Sequence, residues 1–207
     1  ILFSSVETNI PKEGILALQS HMTSQDLLVG AAFGDHDFRA TETSSPITCD
    51  ADGRTVPWNT LALWHVPTLA LTGFLGVAEG VDVAHNRCDG GVEEVTAIAV
   101  LQRLLATSPS RAPSTAPPHT SGNAIAKTSA QSTAHVPDSR VGVKLVGGLP
   151  GLSWETDAFE HDAERRAWHE RKMASKVSRP ASQMARLTGL PPGRIVHVMH
   201  VLVPEVE

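Results

Sequence analysis

Apolar residues come in short blocks along the chain, and the spacing within each block predicts its element. Residues 1–7 (ILFSSVE) open on three consecutive apolar side chains, the pattern of a short buried strand. Asn9-Ile10-Pro11 turns the chain, and Pro11 suits the first position of a helix because its fixed φ is already helical. Ile15, Leu16, Leu18 and Met22 recur at helical spacing and predict a helix over 12–22. Asp26–Phe33 (DLLVGAAF) is a second apolar run and predicts a strand. Strand, helix and strand within 33 residues is the size of a βαβ unit. Ile1–Val6 and Leu27–Phe33 are therefore expected as neighbouring parallel strands joined by a right-handed crossover. Residues 39–54 are polar, carry Pro46 and Asp52-Gly53, and read as a loop or hairpin.

The stretch from Thr55 to Leu105 organises the rest. TVPWNTLALWHVPTLALTGFL predicts an apolar segment containing Asn59, then a short helix that stops at Thr72-Gly73-Phe74. After a polar connection, GGVEEVTAIAVLQRLL predicts a second helix, opened by Gly90-Gly91 and carrying Glu93 and Glu94 in its first turn.

From Thr107 to Ser139 the composition shifts to Ser, Thr, Ala and Pro without periodicity. Such a segment buries too little apolar surface to offset the entropy of ordering it, so disorder is expected. Apolar structure resumes at once, which marks the segment as an insertion within a domain. Val141–Val146 (VGVKLV) predicts a strand, and Gly147–Trp154 a turn-rich connection. Residues 158–176 predict a charged amphipathic helix with a thin stripe of Phe159, Ala163, Trp168 and Met173, and 180–188 a further helix ended by Gly189. Residues 194–203 (RIVHVMHVLV) are the last strand. The expected organisation is a core portion over 1–106, an insertion over 107–140, and residues 141–207 completing the same domain.

Composition narrows the classes. At 41% hydrophobic residues the chain of 207 can build a core of its own. A net charge of -5 argues against an electrostatic nucleic-acid binder. No run approaches the ~18 apolar residues that mark a membrane-spanning helix. Two cysteines, Cys49 and Cys88, make neither a disulfide framework nor a metal cluster, so a reducing, cytoplasmic compartment is expected. The chain opens on an apolar strand without a leader, which suggests a portion of a longer protein.

Four groups of residues carry candidate chemistry, each with a plainer reading beside it. Glu93 and Glu94 offer a general base, which must lie within hydrogen-bond reach of its substrate. Equally, carboxylates in a first turn oppose the helix macrodipole and need no further reason. Trp58 and Asn59 suit an acceptor or sugar site, a Trp face for stacking and an amide for donating and accepting. Their plainer roles are a strand edge and a helix cap near Thr60. Asp35-His36-Asp37 is a literal D-x-D after an apolar strand, or else a solvated turn. His197 and His200 lie three apart in a strand, on opposite faces, which argues against a shared metal.

The order of these pieces resembles the second half of a GT-A type, family-2-like glycosyltransferase. ILFSSVETNIPKEGILALQSHM resembles the strand that delivers the metal-binding D-x-D, with the helix after it, and Ser5-Val6-Glu7 falls where D-x-D would be. PWNTLALWHVPTLALTGF resembles the acceptor-side segment, and GGVEEVTAIAVLQRLL the helix whose first turn holds the acidic pair. Gln183-Met184-Ala185-Arg186-Leu187 is an echo of Q-x-x-R-W without its Trp.

The resemblance implies an α/β fold: a mostly parallel sheet with helices on both faces, like a nucleotide-diphospho-sugar transferase. It implies a nucleotide-sugar donor, an unidentified hydroxyl acceptor, and Glu93 or Glu94 as base. It implies Mg²⁺ or Mn²⁺ on Glu7, with Asp35 and Asp37 as the alternative ligands. Hard cations of this kind take oxygen ligands, and Ser5 replaces one acid. The nucleotide-binding strands would lie upstream. The alternative is a non-catalytic binding or assembly domain of the same fold. A hydrolase using Asp35, His36 and Asp37 is a third reading.

Overall fold

The computed structural model describes residues 1–39, 45–76, 81–82, 87–88, 92–106, 141–154, 162–187 and 195–204. The Thr107–Ser139 insertion lies outside the described residues. The described parts form an α/β structure around a six-stranded mixed sheet. Its strands are β1 (Leu2–Ser4), β3 (Asp26–Ala31), β4 (Ile47–Asp50), β5 (Leu61–Trp64), β8 (Gly142–Gly147) and β10 (Ile195–Leu202), in the order β1-β5-β3-β8-β10-β4. Two-residue strands make two further ladders: β2 (Thr8–Asn9) with β9 (Ser153–Trp154), and β6 (Val81–Asp82) with β7 (Arg87–Cys88). The helices are α1 (Lys12–Ser20), α2 (Val66–Leu69), α3 (Glu93–Ala106) and α4 (Ala163–Ala185).

The expected βαβ unit is corrected here. β1 and β3 run in the same direction, but β5 lies between them and is antiparallel to both. The apolar runs were read correctly as strands, yet β5 is as apolar as they are. Its 2.9 Å bond from the Ile1 ammonium to the Trp64 carbonyl completes a pairing no local pattern reveals. The mostly parallel sheet is corrected as well. β3/β8 and β8/β10 are parallel, whereas β1/β5, β3/β5 and β4/β10 are antiparallel. β4 itself falls in the polar stretch read as a loop or hairpin, its side chains alternating half-buried and exposed at the sheet edge.

Alternation along the strands divides the core between two faces. Val29, Ala31, Leu61 and Val146 face α1, where Leu18 is fully buried. Leu28, Ala62, Trp64, Val143, Leu145, Val196 and Val198 face α3, whose Val95, Ile98 and Leu101 are fully buried. The far end of α3 is tied down by Gln102. Its amide donates to the carbonyls of Val141 (2.8 Å) and His197 (2.9 Å) and accepts the His197 N–H (3.0 Å). After α2, Gly73 adopts φ 62°, a left-handed residue that ends the helix and turns Phe74 back onto Phe3 and Trp64.

The two C-terminal helices expected from the sequence are one. α4 runs through Pro180, capped at its start by Asp162, whose side chain accepts the N–H groups of Glu164 and Arg165. Proline costs a helix one hydrogen bond, here the one to the carbonyl of Lys176. That carbonyl accepts the N–H of Gly53 instead, at 2.9 Å. Among the described residues no helix is long and apolar enough to cross a membrane.

Candidate functional site

The directions of β1, β3, β8 and β10 bring all four carboxyl ends to one edge of the sheet. β5 starts at that edge, Leu61 opposite Ser4, and Asn59 lies two residues ahead of it. α3 packs with its N-terminus at this edge and its Gln102 at the other. Ligands of open α/β sheets bind beyond the carboxyl ends of the strands. The acidic first turn of α3 stands at that place.

Asn59 ties the edge together. Its amide nitrogen donates to Glu93 Oε1 at 3.2 Å, and its oxygen accepts the Trp64 indole N–H at 2.8 Å. The helix-cap reading of Asn59 is thus replaced by a side-chain bridge between β5 and α3. Glu93 stays partly exposed, while Glu94 is buried. Burial raises the Glu94 pKa to about 7; the charge of Glu93 adds to the rise, and Lys176 and Lys172 act against it.

Lys176 is the residue that sequence reasoning missed. It is buried in the middle of α4, its ammonium 3.2 Å from the centre of the Trp58 ring. Burial lowers its pKa to about 8, against the pull of Glu94 and, more weakly, of Asp35 and Glu93. A lysine in a charged helix reads as solvated, and the only sequence signal was Pro180 four residues later.

Trp58 is 1% exposed. It stacks on Phe33 at 5.7 Å and on His36 at 4.0 Å between ring centres, and its indole N–H donates to the Gly53 carbonyl. With protein on its faces, the ring stacks on Lys176 and aromatic neighbours rather than on a sugar. His36 is held neutral: Nδ1 accepts the Phe33 N–H (2.9 Å) and the Nε2 hydrogen goes to the Val56 carbonyl (3.0 Å). Burial, followed by the charge of Lys176, pushes its pKa down to about 3.

The candidate metal ligands stand apart. Glu7 lies partly buried in the turn between β1 and β2, where its N–H donates to Ser5 Oγ. Asp37 is exposed and paired with Arg54 at 2.7 Å, and Asp35 is exposed in the same turn, its charge acting on Lys176. Among the described residues no three His, Cys, Asp or Glu side chains come together as a cation site. His197 is exposed and His200 buried, on opposite faces of β10.

No family model, curated protein or solved structure matches this chain. The geometry is therefore the ground for any functional reading.

Proposed function

We propose that the chain is the acceptor-side part of a glycosyltransferase, moving a sugar from a nucleotide-sugar donor to a hydroxyl acceptor. The observation that supports this reading is the split carboxylate pair at the carboxyl edge of the sheet. Glu93 is reachable and oriented by Asn59, and Glu94 is buried beside it with a pKa near 7. Adjacent acids in different surroundings take different protonation states. Glu93 removes the acceptor proton while the hydroxyl oxygen attacks the sugar carbon. The nucleoside diphosphate leaves with the electron pair of the broken bond. Glu7, Asp35 and Asp37 enter only as candidate ligands for Mg²⁺ or Mn²⁺, and a reducing, cytoplasmic setting belongs to the same proposal.

The test incubates the protein with a panel of nucleotide-sugars and hydroxyl acceptors, with and without Mg²⁺ or Mn²⁺, and reads nucleoside diphosphate release. Removing a general base costs about 10²–10⁴-fold in rate. Glu93→Gln should lower kcat by that order with donor binding intact, whereas Glu94→Gln should chiefly shift the pH profile. Transfer by both variants at the parent rate would refute the base assignment. The second reading, a binding or assembly domain of the same fold, is favoured by the separation of Glu7, Asp35 and Asp37. Donor binding without turnover across the panel would select it.

A further inference from the structure

Charge is spread unevenly along this chain. α4 carries six of the 17 lysines and arginines but only two of the 22 aspartates and glutamates. The rest of the chain is correspondingly acidic, so α4 is a cationic element on an anionic protein. Its cations are also ordered. Arg165, Lys172 and Arg179 recur every seven residues, and Arg186, just past the last turn, continues the series. Seven residues return an α-helix to within about 20° of the same direction. The four positions therefore form one slowly drifting row with a repeat of ~10.5 Å.

The row lies off the face that packs against the protein. α4 is buried through Lys176, Pro180, Gln183 and Met184. Arg165, Lys172 and Arg186 are exposed and Arg179 is half-buried. The Lys172 ammonium lies 5.0 Å from the centre of the exposed Trp168 ring, one turn before it, which holds the cation along the helix. Among the described residues neither Lys172 nor Arg179 forms an ion pair.

The surroundings select the kind of polyanion that matches this row. On its solvent side stand Ala174, Ser178, Ala181 and Ser182, all exposed. Such short side chains let a second backbone approach but give a membrane nothing to bury among its acyl chains. A vesicle or a nucleic acid also sets its extended charge against the acidic remainder of the chain. A single acidic helix needs to touch α4 alone. With acids at every seventh residue it presents a carboxylate each ~10.5 Å along the same drift, in step with the cations. Opposite charges flanking two packed helices set partner choice and register in this way.

We propose that the outer face of α4 docks an acidic α-helix of a partner protein, whose carboxylates at heptad spacing pair with Lys172 and Arg179. This surface goes beyond the glycosyl-transfer reading and stands or falls without it.

The experiment adds the whole chain to two fluorescently labelled helical peptides of α4's length and reads anisotropy at pH 7 and low salt. Both are built on alanine and glutamine with the same number of glutamates. One carries them in a single heptad row, and the other has them scattered around the helix. The heptad peptide should bind saturably and at least tenfold more tightly than the scattered one. Lys172→Gln combined with Arg179→Gln should abolish that preference. Equal affinity of the parent protein for the two peptides would overturn the proposal without any variant having to fold. A preference that survives in the folded double variant would remove it from this row. Anionic phosphatidylserine vesicles or a single-stranded oligonucleotide binding more tightly than the heptad peptide would overturn the helical partner.

Discussion

The carbonyl of Lys176 accepts the backbone N–H of Gly53 at 2.9 Å, a bond that exists because Pro180 cannot claim that carbonyl for the helix. The same glycine accepts the Trp58 indole N–H, and the Lys176 ammonium lies over the Trp58 ring. Gly53 and Trp58, five residues apart, are thereby closed into a ring with the distant Lys176 behind the candidate site. A desolvated cation–π contact of this kind contributes about 2 kcal/mol.

Gly53 cannot carry a side chain without disturbing that ring. A Cβ there would stand 2.6 Å from Lys176 Cβ and 3.0 Å from its carbonyl oxygen. Gly53→Ala should destabilise the fold by about 1–3 kcal/mol, the usual range for overpacking. Urea denaturation followed by tryptophan fluorescence reads the change. Parent stability would mean that α4 does not press on this turn.

Lys176→Met removes the largest cationic influence on Glu94 and leaves burial and Glu93 to raise its pKa. The Glu94 midpoint should move above about 7, and Lys176→Arg should keep it near the parent value. Carboxyl ¹³C NMR follows the titration. An unmoved midpoint in folded Lys176→Met would show that the two groups do not sense each other.

His36 and Glu94 give stability slopes of opposite sign. The folded pKa of His36 is lowered from 6.5 to about 3, so its contribution is present above pH 6.5 and lost as pH falls toward 3. Each pH unit in that window is worth about 1.4 kcal/mol. The folded pKa of Glu94 is raised from 4.5 to about 7, so its contribution is present below 4.5 and lost as pH rises through about 7. Between 4.5 and 6.5 the two oppose. The parent should change little in stability across that window, while Glu94→Gln should lose about 2 kcal/mol between pH 6.5 and 5. Chemical denaturation at both pH values decides; parallel profiles for the two proteins would contradict the assignment.

Asp26 and Lys144 form a buried ion pair at 2.7 Å where β3 and β8 begin. Lys144 also donates to the His21 carbonyl (2.7 Å), and Asp26 accepts from the Thr23 N–H (2.7 Å) and hydroxyl (2.6 Å). Lys144→Met strands the carboxylate and should cost about 3–5 kcal/mol. Asp26→Asn combined with Lys144→Met should recover part of the loss in thermal denaturation. No recovery would assign the cost to packing of the lysine stem.

Apolar blocks and turn residues were enough to read α1, α3, β1, β3, β8 and β10 from the sequence, because each needs only its own local period. The acidic pair was legible for the same reason: Glu93 and Glu94 open a helix announced by the residues around them. Strand order was not legible. A two-faced apolar strand such as β5 satisfies the pattern of either a parallel or an antiparallel neighbour, and only the pairing of Leu61 with Ser4 and of Ala62 with Gly30 chose its place. The sequence was read as two helices, 158–176 and 180–188, where the structure has one that continues through Pro180. The compensating donor, Gly53, lies more than a hundred residues away in the chain. The burial of Lys176 and the bridge from Asn59 to Glu93 belong to the tertiary structure alone. Each depends on which groups meet across the sheet and how far water is excluded from them, and neither property has a local period that a sequence can display.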